Sequence, residues 1–268
     1  MTVHRGKTTA RQYANVIHNA LVSEGFSMIS SSISDDGRVY MSRGVSGLDE
    51  IYIKIKDPSI FYLNVGVYEK YTPNATPGLA GTFGSGYEET TALTWASSNV
   101  GDVEIQYILN VTKDRIIIHS QCPSTVTNGS SSTMYIGLPK RYDSKDRGPG
   151  FSGIGHSTRG YATAKWRALR DRKKVTPGIY NYQYYMPTRA TGWGGKLFFS
   201  PVIICEDNEG ARGELDGLYV LRPPVSSNHE FQHYEEFEKY GKKFIIIDKS
   251  KDQNNSSSLP VFWYVIEI

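Results

Sequence analysis

Two hydrophobic periods divide the chain. Near its start Tyr13, Val16, Ile17, Ala20 and Leu21 recur three and four residues apart, which puts them on one stripe of an α-helix. Thr9-Ala-Arg-Gln12 stands just ahead in the pattern of a capping box, and Gly25 follows where the chain would leave the helix. A helix with one apolar stripe is expected to lie on a sheet. After Gly25 the period falls to two. Phe26, Met28 and Ile33 lead to the turn signal Asp35-Asp36-Gly37, and Arg38–Arg43 pairs back as a hairpin. Glu50–Lys56 alternates, with Ile51, Ile53 and Ile55 expected inward and Lys54 and Lys56 outward. Phe61–Tyr68 is a further strand. Residues 72–90, rich in Pro, Gly, Thr and Asn, read as the body of a long loop over 72–95.

The alternation then resumes. Val103–Leu109 and Arg115–His119 flank a hairpin turn at Thr112–Arg115, and Met134–Leu138 is a strand closed by Pro139. Residues 141–195 break the rhythm with Gly-rich segments, a basic stretch and the Tyr-dense run Tyr180–Tyr185. Strands return with Leu197–Cys205, a turn at Asp207–Gly210, and Glu214–Leu221. Tyr240-Gly-Lys242 turns the chain into Phe244–Asp248. The apolar run Val261–Ile268 is expected to be tied into a sheet. The pattern predicts a mainly β fold of antiparallel sheets, sandwich or barrel-like, with one N-terminal amphipathic helix and long loop insertions. Residues 1–268 read as a single β domain, with 141–195 as an insertion or excursion.

Composition changes this picture little. The 268 residues suit one large β domain. Lys+Arg is 30 and Asp+Glu 27, and a formal charge of +3 is too mild to indicate nucleic acid. Tyr outnumbers Phe and Trp, 19 to 10 and 4, which suits half-buried strands and wet protein interfaces. Cys122 and Cys205 make neither a disulfide framework nor a four-cysteine zinc site, and are expected to be reduced, buried thiols. With no apolar run behind the first basic residues and no apolar stretch of ~20 residues, cytoplasmic synthesis without a membrane span is expected.

Several groups of residues invite chemistry. His229-Glu-Phe-Gln-His233 fits the zinc-peptidase pattern, in which two His one helical turn apart bind the metal and Glu230 serves as general base. Its flanks, Arg222–Asn228 and Tyr234–Tyr240, lack the apolar face that would bury such a helix, and the bland reading is a polar loop or short surface helix. Between Arg159 and Lys174, the residues Arg159, Lys165, Arg167, Arg170 and Arg172 surround Trp166. Basic residues beside an aromatic can hold phosphates and stack a base, or form a solvated face or a grip on an acidic neighbour. The glycine clusters at 148–155 and 192–195 lack the strand–helix context of a phosphate loop. Glu206, Asp207, Glu214 and Asp216 could supply paired carboxylates, but turn and edge-strand carboxylates are common. Tyr182, Tyr184, Tyr185 and Trp193 could stack sugars.

Several segments together carry a resemblance. They are Gly47-Leu-Asp-Glu-Ile-Tyr-Ile53, Arg115-Ile-Ile-Ile118 after a polar turn, Tyr135-Ile-Gly-Leu-Pro139, Gly213-Glu-Leu-Asp-Gly-Leu-Tyr219 and Gly241-Lys-Lys-Phe-Ile-Ile246, behind an amphipathic N-terminal helix and ahead of a terminal strand. In this order they resemble the uncharacterised virion structural proteins of tailed bacteriophages and prophages. The likeness touches most of the chain, but not 72–95 or 141–195. It implies a non-enzymatic tail, baseplate or neck component, made in the bacterial host cytoplasm and resident in the virion. Its partners would be copies of itself and other virion proteins in a ring-like assembly. No cofactor, nucleic acid or membrane is expected, and the long loops, with Arg159–Arg172, Tyr182, Tyr184, Tyr185 and Trp193, are the expected contacts. The alternatives are a carbohydrate-binding β module of a phage tail and a zinc metallopeptidase through His229 and His233.

Overall fold

A computed structural model describes residues 1–31, 37–47, 50–56, 62–68, 70–76, 79–83, 86–94, 103–122, 131–142, 151–152, 167–168, 199–206, 210–221, 232–247 and 263–268. The chain is mainly β, in antiparallel sheets, with one α-helix among the described residues. Where the sequence pattern takes 1–268 together, the chain groups into two compact units, Met1–Pro139 with Asp146–Tyr180 and Lys140–Lys145 with Asn181–Ile268.

The first unit has two main sheets. One runs in the order β1 (Thr2–Thr9), β9 (Glu104–Thr112), β10 (Arg115–Gln121), β11 (Ser131–Gly137), β13 (Phe151–Ser152) and β14 (Arg167–Ala168). The other runs β2 (Ser27–Ser30), β3 (Arg38–Ser42), β4 (Ile51–Ile55), β5 (Tyr62–Tyr68) and β8 (Gly86–Thr94), and β6 (Tyr71–Thr72) with β7 (Thr82–Phe83) forms a small hairpin. Helix α1 (Ala10–Ser23) buries Tyr13, Ala14, Ile17, Ala20 and Leu21 in one core with Ile51, Ile53, Leu63 and Val65 of the second sheet and Ile105, Leu109, Ile116, Ile118 and Met134 of the first. Each fully buried Ile, Leu, Val or Met side chain of this core contributes about 1.5–3 kcal/mol relative to exposure. Thr112 pairs with Arg115 across the expected β9–β10 turn. Ile108, Ile117 and Tyr135, on the opposite face of this sheet, are buried as well, which is why β10 reads as an unbroken apolar run.

Three expectations for this unit are corrected, and one strand goes unsignalled in the sequence. The capping box does not form. Thr9 is the last residue of β1, extended at φ −87° and ψ 155°, and its side chain caps nothing. The first helical N–H, on Ala10, donates instead to the Val103 carbonyl at 2.9 Å, and the Gln12 side-chain oxygen Oε1 accepts from the Asn15 side-chain amide at 2.8 Å. The other end behaves as expected, with Phe26 N–H closing on the Leu21 carbonyl at 3.1 Å and Gly25 at φ 93°. Lys54 is 7% exposed rather than outward, its ammonium 5.3 Å from the centre of the Phe83 ring. It is covered because 72–95 is not loop throughout. The β6–β7 hairpin brings Tyr71 and Phe83 against Val39, Met41, Tyr52 and Tyr68, and β8 is a full edge strand on β5. Finally, Thr2–Thr9, which carries no strand signal, is the edge strand β1, in register with β9 from Thr2↔Val111 to Thr9↔Glu104.

The second unit is one sheet in the order β12 (Lys140–Arg141), β16 (Gly210–Leu221), β19 (Trp263–Glu267), β18 (Lys242–Ile247) and β17 (Glu236–Lys239), with β15 (Phe199–Glu206) also on β16. The terminal strand is thus central, held between β16 and β18 as its apolar sequence requires. Leu221, Phe244, Ile246 and Val265 form a core against which Phe199, Tyr219 and Phe237 pack. Within the expected excursion 141–195, β13 and β14 pair with each other, and β13 joins β11.

Candidate functional site

The segments that carry the resemblance sit where strands end or change partner. At the end of β11, Gly137 has φ 138°, and a β-carbon there would lie 2.3 Å from the Asp114 carbonyl oxygen. This close approach lets the Leu138 N–H donate to that carbonyl at 2.8 Å, while the buried Tyr135 hydroxyl donates to the Leu138 carbonyl at 2.6 Å. Beside it Arg115, fully buried, donates from its guanidinium to the Asn110 carbonyl at 3.0 Å and to the Asn110 side-chain oxygen. On the same strand Nδ1 of buried His119 lies 2.9 Å from the Thr133 hydroxyl, and the Ser120 hydroxyl bonds that of Tyr13. These polar groups join β9, β10, β11 and α1.

In the second unit the Gly213–Tyr219 segment is a bulge. Against β15, Pro201 pairs with Tyr219 and Ile203 with Glu214, so β16 advances five residues while β15 advances two. Gly217 turns within it at φ 79°. Gly213 admits β12, since a β-carbon would meet the Lys140 carbonyl oxygen at 2.6 Å. Lys140 then reaches Glu214 at 2.8 Å, and the bond and charge of Glu214 raise the Lys140 ammonium above the ordinary lysine range. Beyond the bulge, Tyr219 donates to the Glu267 carboxylate at 3.3 Å, and Lys242 meets the same oxygen at 2.9 Å. Burial first, then the charges of Glu267 and Asp216, push the Tyr219 hydroxyl well above the ordinary phenol range, so it stays a proton donor.

The β17–β18 hairpin closes with Tyr240 at φ 55° and Gly241 at φ 71° between the paired residues Lys239 and Lys242. Positive φ at both turn positions defines the type I′ turn, which Asn-Gly fits best. A side-chain-bearing residue gives up about 1–2 kcal/mol in this left-handed conformation. Tyr240 nevertheless occupies it and is 85% exposed, with the Lys239 ammonium 5.1 Å from its ring centre and 5.2 Å from that of Phe199.

Of the residues singled out from sequence, Arg159, Lys165, Trp166, Arg170, Arg172, Tyr182, Tyr184, Tyr185 and Trp193 lie outside the described residues, and Arg167 is placed by backbone alone, in β14. His229 and Glu230 also lie outside them. His233 is described, and it is in a turn. Gln232 is not helical, Tyr234 follows at φ 65°, and the His233 ring lies tilted against that of Tyr234 at 3.8 Å between centres. The Tyr234 N–H donates to the Ile246 carbonyl at 2.8 Å, drawing 236–239 into β17 rather than into the loop or helix expected there. The helix required by the zinc pattern therefore does not run through its last residues. Among the described residues no three His, Cys, Asp or Glu side chains gather as a metal site. Asp207 and the Glu206 side chain lie outside the described residues, whereas Glu214 is ion-paired to Lys140. Cys122 is buried and free, its thiol pushed up to about 12 by burial. No described helix is long and apolar enough to cross a membrane. Tyr219, Glu267, Lys140 and Tyr240 were not singled out from sequence, and the only signal toward them was the turn at 240–242 and the Glu-Leu-Asp-Gly segment.

Compared with known proteins, the chain matches no protein-family model and no curated protein.

Proposed function

We propose that the chain is a non-enzymatic structural component of a tailed bacteriophage virion, part of a tail, baseplate or neck. It acts through contacts with copies of itself and with other virion proteins in a ring-like assembly. The observation that supports this reading is how its polar side chains are used. Arg115 holds Asn110, His119 meets Thr133, Glu214 holds Lys140, and Glu267 holds both Tyr219 and Lys242. Each joins one strand to another within its own sheet, so among the described residues these polar groups serve to brace strands. Three segments of the resemblance supply residues to these junctions, Arg115, Glu214 with Tyr219, and Lys242.

Native mass spectrometry of the purified protein with elemental analysis tests the proposal. A metal-free ring-sized oligomer, such as a trimer or hexamer, is expected. A monomer carrying one tightly held zinc overturns it and directs mutagenesis to Glu230.

A further inference from the structure

The β17–β18 hairpin is divided by charge. Glu236 and Glu238 are exposed along β17, while Lys239, Lys242 and Lys243 surround the turn, with Lys242 and Lys243 both exposed. Lys243 reaches Glu238 at 3.8 Å, where the acidic strand meets the basic tip. At the tip stands Tyr240, the most exposed of the large apolar and aromatic side chains among the described residues. It occupies a backbone conformation that asparagine or glycine adopts more readily. The turn is therefore not optimised for folding, and it presents an aromatic ring on a rigid support. Lys239 backs that ring and itself rests on Phe199 of the aromatic core.

From this geometry we infer that the hairpin tip is a contact knob for a second copy of the chain. Tyr240 seats against the neighbouring subunit, and Lys243 and Glu238, which meet within one hairpin, exchange partners with the same pair on that subunit's hairpin. An acidic strand and a basic tip on one hairpin are complementary to the same hairpin on another copy, the self-complementarity of a two-fold contact, so the knob pairs subunits and a separate head-to-tail contact closes the ring. Tyr is suited to the role, with a broad rigid face and a hydroxyl that remains satisfied at a wet interface. This inference rests on the structural reading above and names the element that mediates self-association.

Sedimentation equilibrium and thermal unfolding of the full chain test it, on wild type, Tyr240→Asn and Lys243→Glu. Tyr240→Asn supplies the preferred Asn-Gly turn, so at a protein concentration where both forms are dissociated its Tm is expected to rise by roughly 2–4 °C. Its self-association is expected to weaken at least tenfold. Lys243→Glu is expected to weaken association similarly, and wild-type association to fall as salt rises from about 50 to 500 mM. A wild type that assembles together with a Tyr240→Asn variant that assembles equally well overturns the knob and leaves the structural reading standing. A wild type that stays monomeric at every concentration overturns both.

Discussion

At the scale of single residues, backbone approach decides more than side-chain chemistry. A β-carbon on Gly137 would lie 2.3 Å from the Asp114 oxygen and 2.5 Å from Arg115 Cα, both fixed parts of the β9–β10 turn. Gly137→Ala is therefore expected to destabilise the protein by about 2–3 kcal/mol, from strain at positive φ and from overpacking. Urea denaturation followed by circular dichroism measures it, and a loss below ~0.5 kcal/mol would contradict the geometry. Cys122 makes a second case. Burial moves its thiol from the ordinary 9.0 to about 12. Between these values the unfolded chain has released this proton and the folded chain has not. Through this group, then, stability is full below pH 9.0 and falls as pH rises toward 12. At pH 8 the native thiol is also expected to resist alkylation until denaturant is added. Peptide mapping after iodoacetamide treatment reads this at Cys122 separately from Cys205.

At the scale of elements, α1 is held by what it packs on rather than by its cap. The Thr9 side chain makes no capping bond, and Ala10 N–H is satisfied by β9's neighbour Val103. Thr9→Ala is expected to cost less than ~0.5 kcal/mol, where a working cap would cost about 1. Tyr13→Phe removes the partner of buried Ser120 and is expected to cost about 1–2 kcal/mol. A larger loss at Thr9 than at Tyr13 in chemical denaturation would reverse this account. The same elements show where sequence is informative. Arg115–His119 and Val261–Ile268 were legible because strands buried on both faces, or central in a sheet, read as apolar runs. Thr2–Thr9, Gly86–Thr94 and Glu236–Lys239 were not, because all are edge strands, whose wet side admits polar and charged residues. Lys54 was misplaced for a related reason, since alternation reports polarity and not what a distant hairpin will cover. In the candidate site, Gly213–Tyr219 and the turn at Tyr240 were visible as patterns. Their bulge and left-handed backbone depend on the pairing of β15 with β16 and β17 with β18, which no local window contains.

At the scale of the whole molecule, the strand pattern cannot distinguish one core from two, since alternation has the same period in both. The apolar clusters around α1 and around Ile246 make the distinction measurable. Ile246 is fully buried with Leu221, Phe244 and Val265, all in the second unit. Ile246→Ala leaves a cavity there and is expected to cost about 2–5 kcal/mol. If each unit is stabilised by its own core, the cost falls unevenly. Amides of β16, β18 and β19 are then expected to exchange with solvent faster by a factor of ten or more, since each ~1.4 kcal/mol of lost local stability is tenfold. Amides of β9, β10 and β11 should keep their wild-type protection, because their bonds are supported by Ile105, Leu109, Ile116 and Met134. Hydrogen–deuterium exchange resolved by peptide reads both sets in one experiment. Equal acceleration throughout would mean that the chain unfolds as one cooperative body despite its separate clusters.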